Sequence, residues 1–240
     1  MGVGLFATPL YQNCEIGVDR SKLYDYSDGS RFLNKSAKEI FTEIEKKNVW
    51  HEEESISGFG SALAQTKTVI EEIPKVIKEL NIKTIFDIPC GDFNWFKEIN
   101  LSNNIYLGGD IVEDIVERNN QKYKSDNINF VQFNILEDIQ EPIDLVFCRD
   151  CLVHFSIIDI WKALLNIQKS NSRYLMTTTF TREEKNNDVV TGGWRPLNFM
   201  KTPFNFPEPI LLVNENCTEK DGIFSDKSLG VWELKDLVLR

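Results

Sequence analysis

FDIPCGDFNW, residues 86 to 95, opens as a buried strand and breaks at Pro89. A proline cannot donate to a strand ladder, so the strand ends there. Gly91 has no Cβ and lets the backbone approach a neighbour closely. Around it stand Asp87, Cys90 and Asp92. Two readings are open: a turn that holds a small charged ligand over the end of a sheet, or a plain connecting loop.

The flanking sequence favours a sheet. KTIFDI (83–88), NIYLGGDI (104–111), INFVQFNI (128–135), IDLVFCRD (143–150) and SRYLMTTTF (172–180) read as strands. IVEDIVERNNQKY and SIIDIWKALLNIQKS read as helices between them, the second with Ser156 and Asp159 spaced as a capping pair. Strands alternating with helices predict a parallel sheet covered on both faces. EPILLVNENC (208–217) and LGVWELKDL (229–237) read as two last strands joined by a short turn, hence antiparallel. The expected fold is α/β: a doubly wound, mostly parallel seven-stranded sheet with an antiparallel last strand. The polar, proline-bearing segment 181–209 reads as an insertion beside it.

Upstream, residues 1 to 34 read as an irregular arm. SAKEIFTEIEKK (36–47) is a helix with a capping box, Ser36 and Glu39. Residues 48–66 form a glycine- and serine-bearing loop. A second helix carries Leu63, Val69, Ile70, Ile73, Val76, Ile77 and Leu80, with Pro74 expected to kink or restart it. The expected division is an arm and helix over 1–56, acting as lid or cap, and a main domain over 57–240.

Hydrophobic residues make up 42% of the 240 and charged residues 27%, as in a globular protein. A net charge of −10 repels a phosphate backbone, which argues against nucleic acid. No apolar run approaches the roughly 20 residues of a membrane span. MGVGLFATPL lacks a basic n-region, so no signal peptide is expected, and Phe6 stands where a myristoylation signal needs Ser or Thr. The location expected is cytoplasmic. Of the five cysteines, Cys148 and Cys151 form a C-x-x-C, but there is no second pair and only two histidines, His51 and His154. Free thiols are expected, with no structural zinc.

In a doubly wound sheet, ligands bind at the carboxyl ends of the strands. Asp87, Asp110 and Asn134 end the first three. A G-x-G-x-x-G is absent, and Asp87 and Asp92 sit badly beside a pyrophosphate. A cationic ligand with a ribose suits them better.

SGFGS (57–61), DIPCGDFNW (87–95), GGDIV (108–112), CRDCLVHF (148–155), TTTF (177–180) and GGWRPLN (192–198), in this order, resemble class I S-adenosylmethionine-dependent methyltransferases. More narrowly, they are similar to a group of small bacterial methyltransferases, some associated with capsule or other surface-glycan gene clusters. Asp87 and Gly91 match the glycine motif of the class, while Pro89 and Phe93 replace two of its glycines. The resemblance covers roughly residues 57 to 237. It implies S-adenosylmethionine as cofactor and S-adenosylhomocysteine as product. The cofactor-binding set it implies is Asp87, Pro89, Gly91, Trp95, Asp110, Ile111, Asn134, Ile135 and Arg149. Pro89 has no N–H to offer, so Ser57, Gly58, Gly60 and Ser61 are expected to supply the missing donors.

Methyl transfer to a hydroxyl needs alignment and removal of a proton. His154, just past the fourth strand, is either the general base or a packed loop histidine; an unperturbed histidine titrates near 6.5. Asp150 either orients His154, binds the methionine end of the cofactor, or joins Asn187 and Asp188 around a divalent metal; no metal is the preferred reading. Arg149 is an ion-pair partner at the sheet edge or an anchor for an anionic group. Trp194, Arg195 and Asn198 are expected to bind a small polar, sugar-linked acceptor, a stacking face ringed by hydrogen-bonding groups; otherwise a buried Trp ties that loop down. Trp95 is core or cofactor wall, and Trp50 and His51 form a lid or a surface turn. The expected function is O-methylation of a small polar acceptor, in capsule or surface-glycan biosynthesis. The alternatives are N-methylation, a non-catalytic methyltransferase-like binding module, and a nucleotide-sugar oxidoreductase.

Overall fold

A computed structural model describes Arg20 and residues 29–239. Most of the expected irregular arm, with Cys14, lies outside the described residues. The sheet has seven strands in the order β3-β2-β1-β4-β5-β7-β6. These are β1 (Thr84–Asp87), β2 (Ile105–Asp110), β3 (Ile128–Gln132), β4 (Leu145–Cys148), β5 (Tyr174–Phe180), β6 (Leu211–Asn214) and β7 (Lys227–Glu233). The first five pair in parallel, and β7 pairs antiparallel with both β5 and β6. The doubly wound α/β sheet is therefore as expected. The link from β6 to β7 is not a short turn, however. It spans residues 215–226, and β7 enters between β5 and β6.

Strand alternation builds two cores. Phe86, Val146, Cys148, Leu175 and Trp232 face one side with α4 (Ile157–Lys169). Ile85, Leu145, Phe147, Met176 and Val231 face the other with α2 (Leu63–Glu79) and Val116 of α3 (Glu113–Tyr123). Pro74 does not interrupt α2: it lies on the exposed side, while Val69, Ile73 and Val76 hold the buried side against the sheet. The segment 181–209 is not a polar appendage. Leu197, Phe199, Phe204 and Phe206 are buried in the first core.

α1 (Ala37–Lys46) has the expected capping box: Ser36 Oγ accepts from Glu39 N, and the Glu39 carboxylate accepts from Ser36 N at 2.8 Å. Its apolar side buries Ile40 and Ile44 near Phe32, and Phe41 meets Phe155 with ring centroids 5.6 Å apart. That contact brings α1 over the carboxyl ends of the strands.

Candidate active site

Asp87, Asp110 and Arg149–Asp150 stand at or just past the ends of β1, β2 and β4. The β1–β4 pair is the switch point, because the chain runs outward through β2 and β3 before crossing back to β4. A cavity opens there, with Asp87, Gly91, Asp110, Asn134 and Arg149 in its wall and Phe41, Ile44, Glu45 and Trp50 on its α1 side. Pro89, Trp95, Ile111, Ile135, Ser57 and Ser61 line it too. Of the expected donor loop, Gly58 and Gly60 face elsewhere, onto a second cavity.

The Pro89–Asp92 turn is fixed from three sides. Cys90 N donates to Gly109 O at 2.8 Å, and Asn119 Nδ2 donates to Gly91 O at 2.7 Å. Gly91 itself has φ +53, and a Cβ there would lie 2.1 Å from Ser57 Oγ. Asp92 clasps the upstream loop: its carboxylate accepts from Ser55 Oγ at 2.9 Å and from Ile56 N at 3.1 Å. Phe93 is a wedge into the second core, against Phe96, Tyr106, Tyr123 and Phe130.

The floor is acidic and buried. Asp110 accepts from Val112 N at 2.9 Å and Gly91 N at 3.2 Å, yet burial pushes its carboxyl up to about 6. Asp87 accepts from Tyr106 O–H at 2.6 Å; burial, with Asp110 nearby, pushes it up to about 8. Neither has a cation against it among the described residues. A positively charged ligand with hydroxyl groups fits this donor set, and a pyrophosphate does not.

A balanced charge cluster closes the β4 end. Arg149 forks onto Glu215, with Nη2 at 2.7 Å and Nε at 3.2 Å from Oε2, and donates to Gly60 O at 2.9 Å. Lys227 Nζ lies 2.6 Å from Asp150 Oδ2 and 3.5 Å from Glu215. Burial opposes the charge on Asp150, but Lys227 and Arg149 outweigh it and hold the carboxyl at about 2. Arg149 is thus an ion-pair partner that also stacks over Trp95, 5.4 Å from the ring centroid. Asp150 has φ +52, held by its N–H to Thr178 Oγ1 at 2.8 Å. It does not meet Asn187 and Asp188. Asp188 Oδ1 accepts from Ile157 N and Val189 N, and Asn187 O accepts from Arg195. Among the described residues no group of three or more metal-ligating side chains converges.

His154 borders both cavities, as do Trp50, Ser57 and Asp150. Its Nδ1 is 2.8 Å from Gly193 O, an acceptor only, so Nδ1 carries the proton and Nε2 the lone pair. Trp50 lies against the ring, centroids 5.2 Å apart. Burial pushes the imidazole down to about 4, below the ordinary histidine value.

Of the expected acceptor residues, Trp194 lines the second cavity with Phe180 and Phe224. Arg195 and Asn198 do not. Arg195 is fully enclosed and donates to Leu152 O and Val153 O. Asn198 is 1% exposed and bonds to Glu183 O and the Asn186 side chain. Both brace the segment because its apolar neighbours pull it inward. His51 lines the second cavity too. Sequence reasoning missed Lys227, Glu215 and Tyr106; Asp92, expected with Asp87 beside a cationic ligand, lines the first cavity and also holds the upstream loop. The one available signal was Lys227 at the head of the apolar run SLGVW.

No known sequence family matches this chain, and no curated protein matches it. Solved structures do. The methyltransferase domain of bacterial CtHen1-C is 14% identical, covers 72% of this chain and 98% of its own, and has a TM-score of 0.53. Magnesium protoporphyrin IX methyltransferase (ChlM) from Synechocystis PCC 6803, crystallised with SAH, is 13% identical over 61% of this chain and 74% of its own, with a TM-score of 0.47. The same enzyme with bound SAM is 15% identical over 65% and 82%, with a TM-score of 0.46. The likeness to the first establishes a Rossmann-like methyltransferase fold.

Proposed function

We propose that this chain is an S-adenosylmethionine-dependent methyltransferase acting on a hydroxyl of a small polar, sugar-linked acceptor in capsule or surface-glycan biosynthesis. One observation carries the reading. The acid-floored cavity and a second cavity share Trp50, Ser57, Asp150 and His154 in their walls, and the His154 ring carries its proton on Nδ1, leaving Nε2 unprotonated. S-adenosylmethionine, when bound, supplies a methyl group on a sulfonium and leaves as S-adenosylhomocysteine.

The chain's own residues do the rest. Asp110 would accept the ribose hydroxyls, and Ile111, Asn134 and Ile135 would hold the adenine. Asp87 and the Gly91 turn meet the cationic end, with Ser57 and Ser61 supplying donors that Pro89 lacks. Residues 29–56 act as a cap, through Phe41, Ile44 and Trp50, on a catalytic domain over 57–240. His154 Nε2 takes the hydroxyl proton as the acceptor oxygen attacks, and the Asp150 carboxylate favours the imidazolium so formed. The Trp194 face supports a sugar in the second cavity. An amine acceptor would not need that base once deprotonated, which favours O- over N-methylation.

Incubation with methyl-labelled S-adenosylmethionine and a panel of nucleotide sugars and phosphorylated sugars tests this. Label on a hydroxyl oxygen, lost in His154→Ala, is expected. Cofactor binding with no transfer to any acceptor would instead favour a non-catalytic binding module.

A further inference from the structure

Arg195 is the anomaly of this molecule. Its side chain is 0% exposed, and no carboxylate lies within ion-pair distance of it among the described residues. Only Asp188 acts on it from a distance, and burial lowers the guanidinium to about 9. Its Nη2 has no hydrogen-bond partner among the described residues. An enclosed, unpaired cation is costly, and a methionine would fill much the same space without that cost. Packing alone therefore does not account for it.

What Arg195 touches does. Nη1 donates to Leu152 O at 3.1 Å and Val153 O at 2.8 Å, and Arg195 N donates to Val153 O at 3.2 Å. These are the two carbonyls just before His154. The same segment bonds His154 directly: Gly192 N donates to His154 O at 2.8 Å, and Gly193 O accepts from Nδ1 at 2.8 Å. Residues 192–195 therefore grip the Leu152–His154 turn by backbone and guanidinium together, with Nδ1 taken up by Gly193 O and His154 in the wall of both cavities. We propose that Arg195 is a positioning residue for His154, holding the turn so that the imidazole keeps its Nδ1–H tautomer and presents a bare Nε2 to the acceptor. This role rests on the reading of His154 as general base.

The charge of Arg195 acts in the same sense. The groups facing His154 are Asp150, which favours its protonation, Lys227 and Arg195, which oppose it, and the Gly193 carbonyl, which favours it; Trp50 covers the ring. Arg195 thus adds to burial in keeping the imidazole neutral.

The chain has only two histidines, so nitrogen-15 NMR of histidine-labelled protein gives His154 and His51 as separate signals, His51 serving as reference. Wild type should show the Nδ1–H tautomer for His154 and a midpoint near 4. In Arg195→Met the midpoint should rise by roughly half a pH unit or more, and the Nδ1–H share should fall. Arg195→Lys keeps a charge but loses the fork of donors, and there too the Nδ1–H share should fall. It carries the test if the methionine variant does not fold. A folded variant with the wild-type tautomer and midpoint would overturn the proposal. Unfolding of both variants would also overturn it, by assigning Arg195 to the fold alone. The measurement needs no cofactor or acceptor. A chain that showed these shifts but bound no S-adenosylmethionine would contradict the methyltransferase reading and leave the positioning role standing.

Discussion

Lys227 Nζ sits 2.6 Å from Asp150 Oδ2, in a cluster that Arg149 and Glu215 complete. Two cations face two carboxylates, with Arg149, Lys227 and Glu215 buried and the Asp150 side chain a quarter exposed. Removing one cation leaves an uncompensated buried charge, at a cost of about 3–5 kcal/mol. Lys227→Met should therefore lower the urea midpoint strongly. Lys75→Met, which breaks the exposed pair with Glu72, should leave it unchanged. Equal midpoints for the two variants would mean that the cluster contributes nothing net.

Acid stability should report His154. Its ordinary value is 6.5 and burial holds it at about 4 in the folded chain. As the pH falls, the unfolded chain takes up this proton first. Stability present above pH 6.5 is therefore lost progressively down to about 4, by up to about 3 kcal/mol. His154→Gln should flatten that part of the curve in urea titrations at stepped pH. A curve of unchanged slope would place His154 in a wetter setting.

Asp87 has the opposite sign. Its folded carboxyl is pushed up to about 8 from an ordinary value of 3.8. The folded chain binds the extra proton across that window, so stability falls as the pH rises from about 4 to 8. Asp87→Asn keeps an acceptor for Tyr106 O–H and should be more stable than wild type at pH 8, by about 1–3 kcal/mol. The same change should weaken binding of a cationic ligand. A variant less stable at pH 8 would show that Asp87 is already ionised and satisfied.

Strand ends were legible in the sequence because their signals are local. Asp87, Asp110 and Asn134 each stand at or just past the end of a short apolar run, Gly91 marks the turn after the first, and all four line the first cavity. Charges whose partners are distant were not. Glu215 is 66 positions from Arg149, and Lys227 is 77 from Asp150. Only the β7 crossover between β5 and β6 brings them together, and the sequence suggested a short hairpin there. Arg195 and Asn198 were misread for a related reason. In a segment rich in polar residues they look like binding groups, but Leu197, Phe199, Phe204 and Phe206 bury it, and their polar atoms are used on backbone. A lid or cap was expected of the arm and helix over 1–56, but the contact that sets α1 over the cavity, Phe41 on Phe155, is not readable from its own pattern.

The base should be visible in rate. His154→Ala is expected to lower turnover by roughly 10²–10⁴ while leaving cofactor affinity within a few-fold. Because the imidazole is held at about 4, the rate should not fall through its titration until well below neutrality. A limb near 6.5 that vanished in the variant would mean that the ring is more exposed in the working enzyme.

The central claim is that the Gly91 turn and Asp110 hold S-adenosylmethionine, and titration calorimetry tests it most directly. Wild type should bind S-adenosylmethionine and S-adenosylhomocysteine but not NAD. Asp110→Ala should lose about 1.5–3 kcal/mol of that binding, since a charged acceptor loses two ribose hydroxyls. Gly91→Val should bind neither, because its side chain would collide with Ser57 Oγ at a φ of +53. Binding of NAD alone, or wild-type affinity in Asp110→Ala, would contradict the account.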